Sequence, residues 1–375
     1  MRLRGTLTVC TRYGDFSENA THQANALKRL ITTLLPHLFM SMLRLQQLPR
    51  LLRRLQGAPP AKDLLVFGHT NIDHIFSVSF LPKQGQTTEV LSKQTLFGGT
   101  GANIALNTAS LGTTVSLSSY VGSDLPEGFR KRLAKTGVGL EHFFVKEGKT
   151  TPTCWIYNDG SQEQMLFMDQ GAMKELDHFE LPDIDFKDSD LVHIGTGKPA
   201  YYLKLLAKQQ ACKRVECQVP AEELLNKRPL IAFDPGQEIH YFYDNKNFPQ
   251  MMRSADIFFG NRVEWDVALK LLKLRDPTDI DHVVPLAIRT LGEQGSELYM
   301  NGTISVIPAV KPKAREDTTG AGDAFRGGFY AALSRGANFE EAAFVGSAAA
   351  SYSLQETGGQ EHLPSFDKLL EFVES

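Results

Sequence analysis

From residue 62 onward, short apolar runs alternate with helical stretches, and this alternation restricts the chain more than any other feature. Leu64-Leu65-Val66-Phe67 ends at Gly68, as expected of a buried parallel strand. Leu191-Val192-His193-Ile194, Leu230-Ile231-Ala232-Phe233 and Ile257-Phe258-Phe259 repeat the pattern. Residues 115–121 also read as a strand, and 104–111 and 126–135 as helices. Strands that alternate with helices build βαβ units, so we expect an α/β fold: a doubly wound, mainly parallel sheet flanked by helices. Outside the alternation, Trp155-Ile156-Tyr157 and Met165-Leu166-Phe167-Met168 flank Asn158-Asp159-Gly160-Ser161, a hairpin signal. Ligands in such sheets sit at the carboxyl ends of strands. The polar clusters described below follow strands or open helices, so they are expected to converge on one crevice.

Composition narrows the partners. The chain has 375 residues, 42% hydrophobic and 22% charged, enough for two average domains or one large α/β domain. No apolar run approaches the roughly 18–20 residues of a membrane span. A net charge of −3 leaves no global basic field, so nucleic acid is not an expected partner. Four cysteines (Cys10, Cys154, Cys212, Cys217) argue against a disulfide scaffold and fit a reducing, cytoplasmic setting.

The charge is unevenly placed. Residues 1–60 carry nine Lys/Arg against two acids, whereas the remainder carries 31 basic and 41 acidic residues. Residues 27–55 are Leu-rich, Arg-bearing and amphipathic, broken by Pro36 and Pro49, and 58–61 read as a linker. We therefore set 1–61 apart as a basic N-terminal extension and take 62–375 as the domain. Three readings of the extension compete. It is a stretch translated from a wrongly chosen start, with Met40 or Met42 near the true one; or an organelle-targeting peptide; or a surface helix that docks on a membrane or partner. The first is preferred.

The strongest chemical signal lies near the C-terminus. Asp317-Thr318-Thr319-Gly320-Ala321-Gly322-Asp323-Ala324-Phe325-Arg326-Gly327-Gly328 joins a glycine-rich turn to a helix. Small residues permit close backbone approach, and the free N–H groups and dipole of a helix start attract anions. Gly320, Ala321 and Gly322 thus offer an anion hole for a phosphoryl group in transit. Asp323, in the first turn, is placed to accept a proton from a hydroxyl attacking that phosphorus. The plain alternative is a helix cap after a flexible turn; the full run with its flanks favours function.

The segment Asp317–Asp323 resembles the C-terminal signature of the ribokinase (PfkB) family of sugar and nucleoside kinases. A second family signature is matched by Gly98-Gly99-Thr100-Gly101-Ala102-Asn103-Ile104-Ala105, ending at Leu111-Gly112. Smaller matches follow in family order: Val121-Gly122-Ser123-Asp124 with Gly128, Asn261-Arg262-Val263-Glu264, and Thr290-Leu291-Gly292-Glu293-Gln294-Gly295. The resemblance covers about residues 62–375. Archaeal-type nucleoside kinases fit best, on Gly68-His69-Thr70-Asn71-Ile72-Asp73-His74-Ile75-Phe76, Thr151-Pro152-Thr153-Cys154-Trp155-Ile156, His193-Ile194-Gly195-Thr196-Gly197-Lys198-Pro199 and Phe233-Asp234-Pro235-Gly236-Gln237. Ribokinases proper have Lys where Thr100 stands, which argues against ribose. Residues 207–228 are longer than the branch suggests and read as a surface insertion, whose Cys212 and Cys217 are too few for a zinc site.

The resemblance implies a ribokinase-like sheet with a small β lid, its strands within about 72–97 and 151–169. By the same resemblance the lid is expected to close over substrate, excluding water, and to supply a homodimer contact. It implies that Asp73, with Asn71, binds ribose hydroxyls, and that Gly98, Gly99 and Asn103 line the sugar pocket. Gln237, which follows Asp234-Pro235-Gly236 at a strand end, is expected near the transferred phosphoryl. It further implies that Asn261 and Glu264 organise Mg²⁺ through water, and that Thr290, Gly292, Gly295 and Thr318 contact ATP. Asp317, with Thr319 and Gly358-Gly359, falls where family members bind K⁺. Residue by residue, plainer readings stand beside these: Asp73 as a turn cap, Asn103 as a helix-start polar residue, Asn261 and Glu264 as a helix cap. Phe76, Phe80, Trp155 and Phe167 read as lid core or dimer contact before base stacking, and His69, His74 and His193 as ordinary hydrogen-bonding residues. The expected reaction is ATP-dependent phosphorylation of a nucleoside 5′-hydroxyl. The alternatives are a kinase of a free sugar or sugar phosphate (ribose, fructose 6-phosphate) and a non-catalytic nucleoside- or sugar-binding module.

Overall fold

Runs that are apolar on both faces belong at the centre of a parallel sheet, covered from both sides. Leu64–Phe67, Leu191–Ile194 and Leu230–Phe233 are buried at every position. The structure, a computed structural model, describes residues 45–160, 164–209, 220–227, 229–312 and 318–375. The strands are β1 (Leu64–Phe67), β2 (Asn71–Val78), β3 (Val90–Gly98), β4 (Val115–Gly122), β5 (Val138–Gly139), β6 (Phe143–Lys146), β7 (Thr153–Asn158), β8 (Gln164–Asp169), β9 (Leu191–Ile194), β10 (Leu230–Phe233), β11 (Ile257–Asn261), β12 (Leu286–Thr290), β13 (Ser296–Met300) and β14 (Thr303–Ile307). The α-helices are α1 (described over residues 45–56), α2 (Thr100–Ser110), α3 (Glu127–Lys135), α4 (Pro199–Lys208), α5 (Ala221–Asn226), α6 (Asn247–Ser254), α7 (Arg262–Leu272), α8 (Ala321–Leu333), α9 (Phe339–Ser353) and α10 (Phe366–Glu374).

The large sheet has the order β14-β13-β12-β11-β10-β9-β1-β4-β5, with β6 also paired to β4. Its strands run parallel except for β13, which pairs antiparallel with both β12 and the edge strand β14. From β1 the chain steps to β4 on one side and later to β9 on the other, so the winding direction switches between β1 and β9. That is where a doubly wound sheet opens a ligand crevice. Side-chain alternation assigns the two faces: Leu64 and Val66 pack with α2, α8 and α9, while Leu65 and Phe67 pack with α4, α6 and α7. The expected doubly wound fold is therefore observed.

A second sheet, β3-β2-β7-β8, stands apart. Its β2 pairs antiparallel with β3 and parallel with β7, and β7 pairs antiparallel with β8. Period-two alternation gives it two unlike faces. Ile75, Cys154 and Ile156 are buried together on one. On the other, Phe76 stacks on Tyr157 at 4.8 Å and Tyr157 meets Phe167 edge-on at 6.0 Å, with Phe167 55% exposed. The expected lid strands match this sheet. The turn residue Ser161 lies outside the described residues.

Two expectations change. The compact unit spans Gln47–Ser375, so packing begins upstream of residue 62, where the sequence pattern set the boundary. Leu48, Leu52 and Leu55 recur at helical spacing along α1 and are buried in the main core. Arg54 pairs with Glu341 at 2.8 Å, and Arg53 and Gln56 bond Glu374 and Asp367. Leu52 is 0% exposed, so Leu52→Ala should destabilise the fold by about 2–4 kcal/mol, read as a lowered denaturation midpoint. An unchanged midpoint would mean that α1 adds nothing to the fold. The second change concerns 207–228. Residues 210–219, with Cys212 and Cys217, lie outside the described residues, but Leu224 of α5 is buried in the core. That part of the expected surface insertion is a packed helix. Among the described residues, no helix is long and apolar enough to cross a membrane.

Candidate active site

A cavity of about 860 Å³ opens at the β1/β9 switch, lined by strand ends, by the head of α8 and by the lid. It gathers Asn71, Asp73, Gly99, Asn103, Gln237, Asn261, Glu264, Thr290, Gly292, Gly295 and the run Thr318–Asp323. Gly98 lies directly behind Asp73, because a Cβ built there would sit 1.8 Å from Asp73 Oδ2. Residues scattered over 250 positions of sequence thus face one space. Asp317 lies outside the described residues.

The head of α8 follows from its sequence. Gly320 is the N-cap at φ 78°, a left-handed conformation that disfavours side chains. The first i→i−4 bond runs from Ala324 N–H to the Gly320 carbonyl, so the N–H groups of Gly322 and Asp323 have no intrahelical acceptor. Of the expected anion-hole amides, that of Ala321 is partly spent. It donates to the Thr318 carbonyl at 3.3 Å, because the turn folds back on itself. Asp323 is the third residue of the helix, and its Oδ2 accepts from Asn103 Nδ2 at 2.8 Å. Asn103 therefore reaches the acid as well as lining the cavity.

Burial pushes the Asp323 carboxyl up to about 7, against the lowering influence of the Asn103 bond and the Arg326 charge. Burial, and then the charge of Asp323, push Asp73 up to about 7 as well. The buried oxygens Thr70 Oγ1, Asn71 Oδ1 and Asp73 Oδ1 have no partner in the protein. Buried acceptors left open in this way call for donors from a ligand.

At the far wall, Asn261 caps α7. Its Oδ1 accepts from the N–H groups of Val263 and Glu264, and Glu264 Oε2 accepts from Asn261 N–H at 2.7 Å. The capping and site readings of this pair are thus one geometry: the reciprocal cap fixes the carboxylate at the cavity. Burial and the Asp234 charge raise Glu264 to about 7.

Arg326 and Asp234 had no assigned role in the sequence reading. Arg326 Nε donates to Asp234 Oδ2 at 2.7 Å with both side chains buried, and Nη1 donates to the Gly322 carbonyl at 3.1 Å. Burial alone would lower the guanidinium, but the carboxylates of Asp234, Glu264 and Asp323 outweigh it. The signal was present: Arg326 lies three positions after Asp323, on the same helical face.

The histidines have ordinary partners. His69 bonds Thr196 and Gln170 at 2.7 and 2.6 Å, His74 bonds Thr95, and His193 Nδ1 bonds the Tyr330 hydroxyl at 2.8 Å. Burial lowers His193 to about 4, so it is neutral. Phe76, Phe80, Trp155 and Phe167 do not line the cavity; the lid presents Cys154, Ile156, Gln164 and Leu166 instead. The alternation of β7 and β8 turns the aromatic residues the other way.

The chain matches the pfkB family carbohydrate kinases over residues 61–365. It is 30% identical over 308 residues to a nucleoside kinase of Methanocaldococcus jannaschii, covering 82% of this chain and 95% of that one. A nucleoside kinase of Methanothermobacter thermautotrophicus is 31% identical over 306 residues, with 81% and 93% covered. The crystal structure of the Methanocaldococcus jannaschii nucleoside kinase, described as an archaeal member of the ribokinase family, superposes with a TM-score of 0.73 at 29% identity. It covers 84% of this chain and 99% of its own.

Proposed function

The chain belongs to the pfkB family of carbohydrate kinases, and from that premise we propose that it transfers the γ-phosphoryl group of ATP to the 5′-hydroxyl of a nucleoside. One observation carries the reading: Asp73, with an open buried acceptor, and Asp323, at an anion-attracting helix start, face the same cavity. A carboxylate with open acceptors suits the two donors of a ribose diol. As the hydroxyl oxygen bonds to phosphorus, its proton passes to Asp323 and the bond from phosphorus to the ADP oxygen breaks. The Gly322 and Asp323 amides hold the developing charge.

The cavity supports a nucleoside over a sugar phosphate. Among its described lining residues the Lys and Arg side chains are Lys311 and Arg326. Arg326 is tied to Asp234 at 2.7 Å, and Lys311 follows the lining residues Ala309 and Val310. The tie leaves Arg326 engaged rather than free to meet a sugar phosphate. Ile156 and Leu166 give the lid an apolar surface that suits the face of a base.

Glu264 and Asn261 supply hard oxygen ligands, which fit a magnesium ion that keeps most of its waters. Among the described residues, no group of three or more His, Cys, Asp or Glu forms a metal site. The ion would be held by these two residues through water and by the nucleotide; when bound, it neutralises phosphate charge. Asp317, expected to bear on K⁺, lies outside the described residues. The homodimer contact belongs on the outer lid, where Phe167 is 55% and Leu91 60% exposed. Cytoplasmic residence remains part of the reading, as the cysteine usage suggested.

ADP formation against a panel of nucleosides, ribose and fructose 6-phosphate tests the proposal: nucleosides should be turned over in clear preference, and a preference for either sugar would overturn it. A finer test is Gly98→Ala, whose methyl would occupy the Asp73 carboxylate position. It should raise the nucleoside KM about a hundredfold while the ATP KM stays near wild type.

A further inference from the structure

Gln360 lies between α9 and α10, outside every motif in the sequence, yet it is 1% exposed. Its Nε2 donates to Asn103 Oδ1 at 2.8 Å and to the Gly98 carbonyl at 3.3 Å. Asn103 Nδ2 in turn donates to Asp323 Oδ2 at 2.8 Å. A primary amide has one accepting end and one donating end. A donor placed behind Asn103 therefore decides which end meets the carboxylate. Turned over, the amide would set its oxygen against Asp323 and repel it.

The surrounding loop closes the same space. A Cβ on Gly359 would sit 2.6 Å from Asn103 Nδ2, and one on Gly320 would sit 2.4 Å from the Gly359 Cα. The segment bearing Gln360 is thus backed against both Asn103 and the head of α8. Gln360 Oε1 finds no partner, so the buried amide is not there merely to satisfy its own hydrogen bonds.

We propose that Gln360 is a positioning residue: by fixing the Asn103 amide it holds the Asp323 carboxylate where the hydroxyl proton is transferred. The inference rests on the kinase reading above. The ionisable groups acting on Asp323 are Asp234, Glu264 and Arg326, with Asp73 across the cavity, while Asn103 is a neutral donor to it.

Gln360→Met keeps the length of the side chain and removes the donor. It should lower kcat about ten- to a hundredfold while the nucleoside KM moves less than about threefold. The acid limb of kcat against pH should move to higher pH, because Asp323 loses a bond that favours its ionised form. In an Asn103→Ala background the same substitution should add almost nothing, since the two residues act in series. Gln360→Asn, which keeps the amide but shortens its reach, is the second variant and should fall between wild type and Gln360→Met on both readouts; if Gln360→Met does not fold, Gln360→Asn carries the test. A wild-type kcat, an unmoved acid limb, or a loss fully additive with Asn103→Ala overturns the inference. If the wild-type protein phosphorylates nucleosides and these results appear, only this inference falls. If it phosphorylates none, the kinase reading falls and takes the inference with it.

Discussion

Asp323→Asn is expected to lower kcat by about a thousandfold or more while nucleoside affinity stays within a few fold, since general-base transfer contributes on the order of 10²–10⁴. The variant keeps the size of the side chain and a hydrogen-bonding group opposite Asn103, but it cannot take the proton. The pH profile sharpens the test. Burial raises Asp323 to about 7, and only the ionised form is a base. Wild-type kcat should therefore climb as pH rises toward about 7 and level off above it, and the Asn variant should lack that limb. Stability runs the other way. A folded-state pKa above the unfolded value of 3.8 means that the folded state holds its proton more tightly. Stability is then lost as pH rises from about 4 through about 7, when the buried acid is forced to ionise. Asp323→Asn removes this loss, so its denaturation midpoint should equal or exceed wild type at pH 8. A rate near wild type would remove Asp323 from the chemistry.

Asp73→Asn is expected to lower kcat/KM for ribonucleosides about a hundred- to a thousandfold, because a site built to pair with hydroxyls discriminates by leaving buried groups unpaired. The carboxylate accepts from two hydroxyls at once; the amide accepts with one atom only. Discrimination between ribonucleosides and 2′-deoxynucleosides should collapse in the variant, and retained discrimination would mean that other groups read the sugar. The two acids are also linked. Asp323 raises Asp73 through like charge, so Asp323→Asn should shift the pH dependence of nucleoside binding to lower pH. Titration calorimetry across pH 5–8 reads this shift.

Much of this site was legible because the signals are local. The glycine at the α8 cap, the acid two residues into the helix and the Asn261–Glu264 cap depend on backbone conformations that nearby residues dictate. Apolar runs with no polar side marked β1, β9 and β10 as central strands for the same reason. Hydrophobic periodicity also separated the lid strands from the main alternation. It could not tell which lid face would turn inward, since both faces of β7 carry apolar residues. The aromatic side went outward, while Cys154 and Ile156 met the cavity.

Sequence by itself determined the class of fold, the strand and helix sites of the motifs, and the acid at the anion-attracting helix start. These follow from steric and periodic rules acting over a few residues. Only the tertiary structure decided that α1 belongs to the packed unit, that Arg326 answers Asp234, and that Gln360 stands behind Asn103. It also decided that Asp73 and Asp323 are raised together toward neutrality. The physical reason is that desolvation and charge coupling depend on what surrounds a group in space, and those neighbours come from segments up to 250 residues away.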